Sequence, residues 1–206
     1  MTNPSSELAL LLGEKAIVGL SQRLVGWLSS LRAGEKIDMA YEETKEELLF
    51  AVIDEVRKLN DRIDANVRDT EAIRALLAIN VEALRSPLTE RIRMLARAFA
   101  GFLKPDLRKE QRARAFRTAL QLEPYDVLYL RSLSGEAAAT EQLKMMEQDT
   151  ASWDGLIATG CLALGDVYEG GELPTYEVTT LGRHVLWLLK EHLVLQPKEA
   201  PSGAST

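Results

Sequence analysis

From Ser6 to about Gln148 the apolar residues recur at three- and four-residue steps, the period of a helix buried along one face. The first such stretch, residues 6–33, is the most apolar. Ser5 or Ser6 caps it, Glu7 suits its positive end, and Gly34 after Arg32 provides a stop. Gly13, Gly19 and Gly26 lower its helical propensity and permit close approach, so tertiary contacts must hold it. A long second helix is expected over 40–85. Along it Leu49, Val52, Val56, Leu59, Ile63, Asn66, Thr70, Ile73, Leu77, Asn80 and Leu84 form a heptad seam that is polar at Asn66, Thr70 and Asn80. The seam either packs within the chain or joins two copies in a homodimer. The first helix's need for an apolar cover favours the former.

Ser86-Pro87 restarts the chain, since serine caps well and proline suits the first helical position. Leu88, Ile92, Leu95, Phe99, Phe102 and Leu103 then share a face. Lys104-Pro105-Asp106 ends that helix and starts another, with Asp106 as cap and Phe116 and Leu120 as inward anchors; these basic helices fill 87–122. Pro124 opens a short helix with Val127, Leu128, Leu130 and Leu133, ending near Gly135. After a further short helix from Asp149 or Thr150 the period changes. Gly160 is a helix stop, Cys161 to Tyr168 reads as a strand, and Glu169-Gly170-Gly171-Glu172 as a turn. Pro174 enters a second strand with Tyr176 and Val178, and Thr179 or Thr180 caps a last helix containing Leu181, Val185, Leu186, Leu188 and Leu189. The fold class is therefore mainly α: a helical region over 1–123, a helix–hairpin–helix module over 124–194, and a small polar tail, 195–206, expected to be disordered.

Composition narrows the setting. At 206 residues with 46% hydrophobic and 27% charged, the chain reads as a soluble globular protein. One cysteine and no basic opening stretch fit a cytoplasmic protein. Leu8 to Leu31 is long enough to span a bilayer, but Glu14, Lys15, Gln22 and Arg23 interrupt it, and each central charge costs about 2.5 to 3.5 kcal/mol. A buried helix is expected. The alternative is a helix lying in a membrane surface with Trp27 at the interface.

The segment YEVTTLGRHVLWLL after the glycine turn resembles the closing strand and helix of bacterial winged-helix domains. The layout of FRTALQLEPYDVLYLRSL followed by that module is similar to Abi-alpha-type proteins, helical bacterial proteins associated with abortive phage infection. The resemblance implies a winged helix over 124–194 and a role in phage defence, and carries over no catalytic residue.

DNA-reading winged helices place Arg, Lys, Asn or Gln of the helix before the hairpin in the major groove. Here TASWDGLIAT contains no Lys or Arg, and the wing carries Glu169 and Glu172, so nucleic acid is the disfavoured partner. Trp153 is expected in the core or at a protein contact. Positive charge lies upstream. Residues 85–117 carry +7, leaving −13 for the rest of a chain of net charge −6. This segment either pairs with the acidic 42–55 region or docks an anionic partner through Arg93, Arg97, Lys104, Arg108 and Arg112. Within it, Arg93, Arg97 and Lys104 are expected opposite the apolar stripe.

No residues assemble a catalytic, cofactor or metal site. His184 and His192 are offset by about 80° on one helix, Cys161 sits in an apolar strand, and Glu42-Glu43 and Glu46-Glu47 lie on a solvated face. The sequence thus reads as a non-enzymatic interaction or regulatory protein with a protein partner. The alternatives are a transcription regulator holding DNA on 85–117, and a membrane-associated defence effector using 8–31.

Overall fold

The computed structural model describes residues 39–59, 64, 67, 69–136, 151–165 and 176–190. Within them the chain is mainly helical, as expected: α1 (Met39–Arg57), α2 (Asp69–Arg85), α3 (Thr89–Leu103), α4 (Lys109–Ala119), α5 (Pro124–Leu133) and α6 (Ala151–Ala158) precede β1 (Leu162–Leu164), β2 (Tyr176–Val178) and α7 (Thr180–Leu189). The strands pair antiparallel, Leu162 facing Val178 and Leu164 facing Tyr176. The expected 6–33 helix, Trp27, the 169–172 turn, Pro174, His192 and the 195–206 tail lie outside the described residues.

The core is built around α3. Ile92, Leu95, Phe99 and Leu103 supply its large apolar face, while Ala96, Ala98, Ala100 and Gly101 let neighbours approach elsewhere, and all eight are buried. Eleven of its fifteen residues are buried, and a narrow face with Glu90 and Arg93 meets solvent. Accordingly α3 packs against α1, α2, α4, α5 and α7. At Gly101 a Cβ would lie 2.1 Å from the Leu188 carbonyl oxygen, so the α3–α7 crossing requires glycine. Leu88, expected on the apolar stripe, instead occupies the N-cap position and is exposed, because the helix begins only at Thr89.

The continuous helix expected over 40–85 is two helices. α1 ends at Arg57, and Leu59 closes a turn through its N–H to the Val56 carbonyl, 3.1 Å. Further on, the Asp64 N–H donates to the Leu103 carbonyl (2.8 Å), capping the C-terminal end of α3. That cross-chain bond takes the place of a bond along one long helix. Freed by the break, α2 turns a different face inward. Leu49, Val52, Val56 and Leu59 are buried as the seam requires, but in α2 the buried aliphatic positions are Ala72, Ala75, Leu76, Ile79 and Ala83. Of the seam residues there, Asn80 is buried, Ile73, Leu77 and Leu84 are half-buried, and Thr70 is exposed. α1 and α2 pack on each other and on α3 within the chain.

Asp106 does not cap α4. The chain bends over 105–107, and Arg108 takes the N-cap position, its N–H donating to Gln111 Oε1 at 3.3 Å. Pro124 starts α5 as expected, with the Asp126 carboxylate accepting from the Glu123 N–H (2.8 Å), and Gly135, at φ +91°, follows its end.

Gly160, at φ +74°, ends α6 and turns the chain into β1. Thr179 then joins hairpin to helix. Its hydroxyl oxygen accepts from the Gly182 N–H (3.0 Å) as the α7 N-cap, and the hydroxyl lies 2.7 Å from the Gly160 carbonyl, to which it donates. A Cβ on Gly182 would fall 2.4 Å from the Cys161 carbonyl oxygen, so helix and strand meet backbone to backbone. Leu181, Val185, Leu188 and Leu189 of α7 share one buried cluster with Phe99 and Phe116. The apolar core is thus continuous across residues 123 and 124.

Candidate functional site

The basic residues of 85–117 do not form one open face. Arg112, four and eight residues before Phe116 and Leu120, shares their inward side and is 2% exposed. One terminal nitrogen, Nη1, donates to Asp64 Oδ2 (2.7 Å) and to the Lys104 carbonyl (2.6 Å), and the guanidinium carbon lies 5.5 Å from the Phe102 ring centre. A guanidinium is suited to such a place because it offers several donors in one rigid plane. Lys104 is 5% exposed, with Nζ 5.2 Å from the Trp187 ring centre, a cation–π contact between the end of α3 and α7. The expectation that Lys104 and Arg112 present charge to solvent is therefore corrected: both are buried in the joints between helices.

Arg97 is half-buried, with Nε 3.6 Å from Glu55 of α1, and Lys58 reaches the same carboxylate at 2.8 Å. Charge from the basic segment is thus paired with the 42–55 region at this point. Arg93 and Arg108 are exposed. Arg91, which sequence reasoning did not single out, is buried at the start of α3 and donates through Nη2 to the Leu120 carbonyl, 2.6 Å, tying α3 to the end of α4.

The helices α2 and α4 both rest on α3 and leave between them a cleft of about 460 Å³. Phe102, Phe116, Ala75 and Ala78 line it with apolar surface, and Arg74, Lys109, Arg112 and Arg117 bring positive charge to it. Lys109 pairs with Glu71 across the two helices. Arg74 and Arg117 are exposed, and Arg117 Nε makes a 3.3 Å bond to the Ala113 carbonyl of its own helix. Of the five cationic candidates only Arg112 lines this cleft. A smaller cavity, about 310 Å³, lies where α3, α5 and α7 meet, lined in part by Arg97, Arg131, Glu136 and Lys190. The bidentate Arg131–Glu136 pair there holds the Glu136 carboxyl below its usual range, chiefly through the hydrogen bond from Arg131.

In the C-terminal part, Trp153 is half-buried between Tyr129 of α5 (ring centres 4.5 Å apart, 74°) and Tyr176 of β2 (4.4 Å, 41°). It serves as the joint between helix and hairpin. Burial raises the Tyr129 hydroxyl, with a smaller contribution from Tyr125. Cys161 is fully buried, and burial pushes its thiol upward, which disfavours the nucleophilic thiolate. Among the described residues no group of three or more His, Cys, Asp or Glu is placed to hold a metal ion, and no helix is long and apolar enough to cross a membrane.

Among the described side chains of α6, β1 and β2 the exposed positions are Asp154, Gly155, Ile157, Ala158, Ala163, Leu164 and Glu177. None is cationic, and the sequence holds no Lys or Arg between Lys144 and Arg183. No known protein family, characterised protein or solved structure matches the chain.

Proposed function

We propose that the protein is a non-enzymatic interaction or regulatory protein whose C-terminal module, a winged helix turned to protein contacts, docks a protein partner through the outer side of α6 and the hairpin. The observation that carries this reading is the exposed set there: Ile157 and Leu164 stand out to solvent among small and acidic residues, Leu164 at 59% exposure. Apolar side chains with few charges suit the core of a protein interface. A phosphate backbone requires cations, which this side lacks. The burial of Lys104 and Arg112 and the pairing of Arg97 also leave the 85–117 segment fewer charges for DNA.

The test is capture from a bacterial lysate by the full chain, compared with Ile157→Glu and Leu164→Glu variants of unchanged helical content. A partner retained by the parent and lost by both variants supports the reading. A low-salt gel shift with duplex DNA that survives both variants but disappears with Arg93→Glu would replace it with the regulator that holds DNA upstream. The resemblance of layout to Abi-alpha-type proteins makes phage plating the assay in which a lost partner should have a consequence.

A further inference from the structure

We propose that the cleft between α2 and α4 binds a small amphipathic anion, a carboxylate or phosphate monoester carried on a short acyl chain or a ring. The inference is independent of the reading of the hairpin face. Its volume of about 460 Å³ lies within the range of small-molecule sites, and its lining divides as such a ligand would. The apolar part is Phe102, Phe116, Ala75 and Ala78, and the cationic part is Arg74 from one wall with Arg117 from the other. Glu71 is already engaged by Lys109, and Arg112 by Asp64. Among the described residues Arg74 and Arg117 have no carboxylate partner, so their charge remains available to an incoming anion.

A second observation points the same way. Arg112 is almost wholly buried beside the cleft, yet its Nε has no hydrogen-bond acceptor. A buried guanidinium donor normally has one, because leaving it unpaired is costly. The carboxylate of Asp64 and the Lys104 carbonyl occupy Nη1, on the side towards the end of α3. An anion entering between Arg74 and Arg117 would bring negative charge to this unpaired group, while its apolar body covered Phe102 and Phe116.

Calorimetric titration of the full chain with octanoate, octyl phosphate and octanol tests this. Octanoate or octyl phosphate should bind, with octanol at least about tenfold weaker, since charge-assisted hydrogen bonds supply the difference. Exchanging Arg74→Gln and Arg117→Gln together, two exposed side chains outside the core, should weaken the anion about tenfold or more while leaving the circular dichroism spectrum unchanged. Filling the cleft with Ala78→Met should abolish binding without altering charge. Octanol binding as tightly as octanoate, a double variant that binds like the parent, or no heat from either anion at millimolar concentration would overturn the proposal. So would sedimentation with phosphatidic acid vesicles in the absence of octanoate binding, which would assign the charge to a membrane surface.

Discussion

Replacing Gly101 by alanine sets two physical effects against each other. In a helix interior the added methyl favours the folded chain by about 1 kcal/mol, because glycine loses more backbone freedom on folding. Here the new Cβ would lie 2.1 Å from the Leu188 carbonyl oxygen and 2.9 Å from that residue's carbonyl carbon and Cγ. Two of these three atoms are backbone, so rotating a side chain cannot relieve the clash; α7 must retreat by about 1 Å from α3. Overpacking of this kind costs about 1 to 3 kcal/mol, occasionally more, and the retreat also uncovers Val185 and Leu188. Because the clash is with backbone, the cost falls at the upper end, about 3 kcal/mol or more, and set against the gain of about 1 kcal/mol it leaves a net loss of about 2 kcal/mol. Gly155 is the matched control, a helical glycine of α6 whose Cβ would meet nothing within 4 Å. Its alanine variant should gain up to about 1 kcal/mol. Urea unfolding followed by circular dichroism measures both, the midpoints moving in opposite directions at similar slope. A Gly101→Ala protein as stable as the parent, or two variants shifting the same way, would refute the backbone-to-backbone crossing.

Removal of the Thr179 hydroxyl by Thr179→Ala should cost about 1 kcal/mol in the same unfolding assay, and Thr179→Ser should restore most of it. Arg112→Leu removes the guanidinium bonds to the Asp64 carboxylate and the Lys104 carbonyl from a buried site; a loss of about 3 to 5 kcal/mol is expected, and Arg112→Lys should recover little because a single ammonium cannot reproduce the planar fork. Cys161 should react with a disulfide reagent only as the chain unfolds, with a rate that rises alongside the urea transition. Its raised folded value makes this thiol's contribution to stability full below the unfolded value and lost as pH rises through the folded one. An alkaline decline no smaller in Cys161→Ala would show that the thiol is not its source.

Periodicity revealed the elements wherever one face is apolar. α5 and α7 lie where the three-residue rhythm puts them, α3 begins at Thr89 and not at Pro87, the strands Leu162–Leu164 and Tyr176–Val178 fall within the stretches expected for them, and Gly160 and Thr179 act at the boundaries their chemistry suggested. The 40–85 stretch is two helices because three- and four-residue spacing of apolar residues can run on across a turn without marking it, so the spacing alone does not locate the break. The partner that favours the break, Arg112, lies 48 residues from Asp64 in sequence. Part of that pairing was nonetheless legible. Arg112 falls at four-residue spacing from Phe116, on the inward side, a signal masked by the count of positive charge around it. The cleft was not legible at all, since Arg74 and Arg117 belong to helices whose adjacency is decided by how each rests on α3.

The enclosure of α3 also makes the chain hard to divide. A fragment ending at residue 123 would lack α5 and α7, baring the sides of Phe99, Leu103 and Phe116 that these helices help to cover. A fragment beginning at 124 would keep the contacts of α7 with α5 and β2 but strip away the α3 and α4 surfaces on which Val185 and Leu188 also pack. Neither half offers the other's function for separate study. Amide protons along α3, reached by solvent only when several helices part together, should exchange last and at a common rate, so that the helix reports the opening of the whole body.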